Sequence, residues 1–225
     1  MKRWQTIVVA GAVLAVIAYV GTHRQQFGLA GSHAIGVDDS RDSNEPTSPA
    51  ARPPAIVWTK LDRSADGFRV DMPADVKQIQ IPAYNESGGA DAVNMIFSNP
   101  DADTQFSVAW EDNPPVARVS NRAPDRTLQM AREGAVARTQ TVLVSEASHT
   151  TQGFPGREFE ARNSGGGVMN SRLIYAGSRL YMLNAAFPSA SARRDKDVSR
   201  FFNSFVVTST PGSAKAESSG SSKAD

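Results

Sequence analysis

The sequence predicts an α+β fold: an antiparallel β-sheet flanked by helices and preceded by one transmembrane helix. Three observations carry that expectation. Several short stretches alternate apolar and polar residues, one late stretch spaces its aromatics as a helix does, and an uncharged run follows the first three residues.

The uncharged run comes first in the chain. Lys2 and Arg3 precede a segment from Trp4 to Thr22 with no charged side chain. At about 1.5 Å per residue it would span roughly 28 Å, close to the hydrocarbon thickness of a bilayer. Trp4 and Tyr19 sit near its ends, where amphipathic rings favour the interface. A cleavable signal would need small residues at −3 and −1 soon after the run, and Ala18-Tyr19-Val20-Gly21 fits that poorly. An uncleaved anchor over residues 1–22, with the membrane contact at 4–22, is the favoured reading; a cleaved signal is the alternative. Lys2 and Arg3 then put the N-terminus inside, leaving the rest as a periplasmic domain on the inner membrane.

Residues 23–56 and 209–225 are rich in Gly, Ser, Pro, Ala and Asp without apolar periodicity, and read as a disordered linker and tail. Between them, residues 57–208 form one domain large enough to bury its own core. The chain has no cysteine, which excludes disulfides, thiolate metal sites, a thiol nucleophile and a lipidated cysteine. A formal charge of +1, with basic and acidic side chains balanced in the domain, removes the main drive for nucleic-acid binding.

Within the domain, "GFRVDM", "VNMIFS", "TQFSVAW" and "TVLVSEA" read as strands, with "KQIQIPA" and "REFEARN" as weaker ones. "SRLIYAGSRLYMLNAAF" reads as a hairpin turning at Ala176-Gly177-Ser178. "PDRTLQMAREGAVART" predicts a helix begun by Pro124, with Leu128, Ala131 and Ala135 as its apolar stripe. In "DKDVSRFFNSF", Val198, Phe201, Phe202 and Phe205 keep i, i+3, i+4, i+7 spacing, and Asp195 and Asp197 suit the helix dipole. In "GFPGREF", Gly153 and Pro155-Gly156 supply turn chemistry, with Gly156 expected at positive φ. Arg157 and Glu158, as strand neighbours, should face opposite ways and not form one catalytic pair.

No catalytic, cofactor or metal residue is assigned. His149 is the one histidine within the domain, and no H-x-x-x-H or G-x-S-x-G accompanies it. Asp101 with Asp103, and Glu111 with Asp112, read as solvated turn or strand-end residues. Gly88-Gly89 and Gly165-Gly166-Gly167 lack a following G-K-[ST] and read as loops. Arg118, Arg122 and Arg126 recur every four residues, but Pro114, Pro115 and Pro124 break any helical ridge.

The order "GFRVDMP", "FSVAWEDNPP", "GFPGREFEAR", "SRLIYAGSRLYML" and "DVSRFFNSF" resembles the Mog1/PsbP-like domains of bacterial exported proteins, over roughly residues 58–207. The resemblance implies an α/β/α sandwich and a non-catalytic role. The favoured function is therefore a binding or scaffolding module, non-enzymatic and without a cofactor, acting on an envelope protein. An envelope hydrolase using Asp101, Asp103, Glu111 or Asp112 is the alternative, and small-ligand or divalent-metal binding is a third.

Overall fold

A computed structural model of the chain describes residues 55–84, 90–112, 114 and 123–209. Ten strands and two helices follow in the order β1 (Trp58–Arg63), β2 (Phe68–Pro73), β3 (Lys77–Tyr84), β4 (Ala90–Ser98), β5 (Gln105–Asp112), α1 (Ala123–Arg138), β6 (Thr141–Thr151), β7 (Phe154–Asn163), β8 (Val168–Ala176), β9 (Arg179–Phe187), α2 (Asp195–Ser204) and β10 (Val206–Val207). All strand pairings are antiparallel. A seven-stranded sheet runs β3-β4-β5-β9-β8-β7-β6, and a small sheet runs β1-β2-β10.

Alternation along the strands feeds two cores, one on each face of the large sheet. On one face Phe106, Val108 and Trp110 of β5 and Tyr181, Leu183 and Ala185 of β9 meet Phe68, Val70 and Met72 of β2 and Phe201, Phe202 and Phe205 of the α2 segment. On the other, Ala109, Leu173, Met182 and Phe159 pack against Leu128, Ala131 and Ala135 of α1. The aromatic stripe of α2 thus does what its spacing implied: Phe201 is fully buried and stands edge-on to Phe106, ring centroids 5.4 Å apart.

The expected single sheet is in fact two. β1 and β10 were not foreseen, because "WTKLDR" does not alternate and β10 has only two residues. Both are held by β2, which pairs with β1 from Trp58↔Pro73 to Arg63↔Phe68 and with β10 at Arg69↔Val206.

The expected fold class also needs correcting at its start, where it placed a transmembrane helix. No helix among the described residues is long and apolar enough to cross a membrane. α1 has 16 residues and α2 only 10, and each buries one face against the sheet while exposing a charged one. The proposed anchor at residues 4–22 lies outside the described residues, as do most of the linker and tail, Gly88-Gly89, and Arg118 and Arg122. The inner-membrane and periplasmic placement, and the membrane as a partner, therefore find no support in this fold.

Gly153 lies in a turn as expected, whereas the reading of Gly156 needs correcting. The β6–β7 turn is Gln152-Gly153, both at positive φ (50° and 84°), the two-residue geometry that matches strand twist. Gly156 lies inside β7 and not at positive φ. A Cβ there would fall well inside contact distance of the Leu173 carbonyl oxygen on β8, so glycine is needed for close backbone approach.

Candidate functional site

The Gln152-Gly153 turn sets the register of the β6–β7 hairpin, and hence the floor of a groove. Counting back from it, His149 lies opposite Gly156, Ala147 opposite Glu158 and Ser145 opposite Glu160. On the next strand Arg172 stands opposite Glu158 and Asn170 opposite Glu160. These residues share the sheet face that α2 covers in part. The helix supplies a wall of Val198, Ser199, Phe202 and Asn203, which with Ser145, Ala147, Glu158, Glu160, Asn170 and Arg172 lines a groove of about 310 Å³.

Arg172 organises the groove. It is buried, and its Nε donates to Glu158 Oε1 at 2.6 Å while Nη1 donates to the Phe202 carbonyl at 2.7 Å. Nη2 reaches Asn203 Oδ1 at 3.3 Å, and the guanidinium lies 4.9 Å from the Phe202 ring centroid. One side chain of β8 thus satisfies a carbonyl in the last turn of α2, where a positive charge also suits the helix dipole. His149 Nδ1 approaches Glu158 Oε1 at 3.3 Å. Burial, then the positive charge of Arg172, hold the His149 imidazole below its ordinary value of 6.5, against the opposing pull of Glu158. Glu160 accepts from Arg162 and from Arg193 Nη1, the latter at 2.6 Å. Arg157 points to the opposite face and pairs with Glu146, so Arg157 and Glu158 do face opposite ways.

The carboxylates named from sequence do not meet. Asp101 and Asp103 occupy the β4–β5 turn, where Asp101 Oδ1 accepts the Asp103 and Thr104 amides at 3.0 and 2.7 Å and Oδ2 takes Arg194. Glu111 and Asp112 lie at the far end of β5, roughly 20 Å away along the strand. Asp112 grips Arg179 with both oxygens, at 2.6 and 2.7 Å, while the neighbouring Glu111 is buried. They are turn and strand-end residues, with Glu111 buried where a solvated side chain was expected, and the two pairs lie at opposite ends of β5, too far apart to share a pocket. Gly165-Gly166-Gly167 close the β7–β8 turn around Asn163, whose Oδ1 accepts the Gly167 amide. Among the described residues no three His, Cys, Asp or Glu side chains gather to hold a metal ion. The groove residues Glu160, Asn170 and Arg172 were passed over in the sequence, and Glu158 was weighed only as a partner of Arg157. The Gln-Gly turn was the available signal, since a two-residue loop fixes which residues face each other.

No family model matches the sequence, and no curated protein does. Distantly similar solved structures include the following two. The PsbP protein of the cyanobacterium Synechocystis superposes with a TM-score of 0.48 at 13% identity, over 72% of this chain and 99% of that one. A Pseudomonas aeruginosa protein of unknown function gives a TM-score of 0.32 at 13% identity, over 60% of this chain and 85% of that one. The first is a distant structural match to a PsbP-like fold; neither bears on the groove.

Proposed function

We propose that the domain is a non-catalytic binding module, and that a partner protein inserts into the groove between α2 and strands β6–β8. The observation that carries this reading is the state of the groove's charged groups. Glu158 is committed to Arg172, and Glu160 to Arg162 and Arg193. Both carboxylates thus hold arginines of the fold itself, an arrangement that suits a structural role better than an acid–base one. What remains is a recess with a polar floor, and Val198 and Phe202 form an apolar wall suited to recognition.

The test is site-specific photocrosslinking in the cells the protein comes from. A photoreactive residue at Ser199 and one at Ala147 look into the groove from its wall and floor; Gln129 on α1 is the control. The expected result is one reproducible protein adduct from both groove positions and none from Gln129. Equal labelling from all three positions, or none, would overturn the reading.

A further inference from the structure

The two edges of the large sheet are built differently. β3 begins with Lys77 and carries Pro82, which has no N–H to offer, so it is protected against further pairing. β6 is the longest strand, with 11 residues, and contains no Pro, Lys or Arg. Its outer side pairs with no strand among the described residues. Its one carboxylate, Glu146, is held by Arg157 and Arg132. Val142 and Val144 are 72% and 50% exposed, two of only four large hydrophobic residues so exposed among the described residues. A bulge at Val144 is the one device that interrupts the edge.

The chemistry beside this edge is graded along its length. Near its start the open face shows Val142 and Val144. Further on come Ser145 and Ala147, small and exposed, and behind them on β7 lie Glu160 and Glu158. Glu160 already holds two arginines and is largely covered, whereas Glu158 is 38% exposed. A long basic side chain arriving over Ala147 would find within reach the Glu158 carboxylate, whose Oε1 also holds Arg172 and faces His149.

We propose that β6 is a docking edge, and that its occupant is an extended segment of a partner protein added as an eighth strand. That segment places apolar or β-branched residues over Val142 and Val144 and a lysine or arginine over Ala147, directed at Glu158. This rests on the groove reading above and gives the partner its chemistry. Main-chain hydrogen bonds to β6 supply affinity, and alternate side chains reaching over the groove supply specificity. A second copy fits less well. An edge about 37 Å long and about 10 Å deep offers roughly 400 Å² per partner, half of what a stable interface needs. A peptide adds the groove to that contact; a rigid second sheet does not.

The experiment selects random 12-residue peptides on phage against the intact chain, then measures binding by fluorescence anisotropy and β6 amide exchange by mass spectrometry. Expected are peptides with alternating apolar residues and one basic residue on the same face, and slowed exchange confined to β6. Val144→Lys and Ala147→Lys, both at exposed positions, each weaken binding at least tenfold with unchanged melting temperature. If either variant misfolds, alternate N-methylation of the peptide backbone tests the same pairing and should abolish binding. Selection of no peptide, protection on another element, or indifference to both substitutions overturns the inference. So does a concentration-dependent dimer whose β6 amides are protected without peptide, which would make a second copy the occupant. Adducts at Ser199 and Ala147 with unprotected β6 amides would leave the groove reading standing and sink only the edge.

Discussion

Glu158 and Arg172 face each other across β7 and β8, their nearest atoms 2.5 Å apart, and the same guanidinium reaches on to the carbonyl of Phe202. The pair is asymmetric, because Arg172 is buried while Glu158 keeps partial access to water. Removing one partner therefore differs from removing the other. Glu158→Ala strands a buried cation and is expected to cost about 3 kcal/mol or more. Arg172→Met leaves a carboxylate that water can reach and should cost about 1.5–3 kcal/mol, the worth of its charged hydrogen bonds. Urea unfolding of both variants measures the order.

Gly156 and Gly153 make different demands on their backbones. Gly156→Ala presses a methyl group into the Leu173 carbonyl, and separating β7 from β8 to relieve it should cost about 1–3 kcal/mol. Gly153→Ala meets open space and suffers only from its positive φ, worth about 1–2 kcal/mol. Gly153→Asn should recover most of that, because Asn tolerates the left-handed region; Gly156→Asn should recover nothing. Thermal melts of the four variants separate the two causes.

His149 gives the domain an acid-side dependence. Its folded-state affinity for a proton is lowered, so the unfolded chain takes up the proton first. Stability from this group is complete above about pH 6.5 and declines as pH falls through that value. His149→Gln should flatten the stability profile between about pH 7 and about pH 5. An unchanged slope would show that the imidazole is equally easy to protonate in both states.

Phe201 is the centre of the α2 stripe, fully buried against Phe106. Phe201→Ala should cost about 3–5 kcal/mol, and Phe201→Leu clearly less, by chemical denaturation.

Much of this fold was legible because the relevant signals are local. Alternation in "TQFSVAW" and "GFRVDM" marks β5 and β2, and the two-residue Gly177-Ser178 loop joins β8 to β9 as expected. The stripe of α2 is visible from four residues. What escaped depends on distant partners. β10 is a strand only because Arg69 and Phe68 of β2 accept it across more than half the domain. His149 looked like a solitary histidine because Glu158 and Arg172 reach it through two strand registers. Gly156 was read as a turn residue since its real constraint, the Leu173 carbonyl, belongs to another strand.

The small sheet sets an order on the birth of the molecule. Its middle strand, β2, is made early, yet one of its neighbours is β10, near the end of the domain. Val207 is further clasped by Gln152, whose side-chain amide exchanges two hydrogen bonds with its backbone, at 2.7 and 3.3 Å. A growing chain on the ribosome can therefore form its hairpins one by one, but Phe68 keeps an open flank until residues 205–207 emerge. Until then the nascent domain exposes the aromatic surface that α2 and β10 will cover, and that interval is when it most needs shielding from its neighbours.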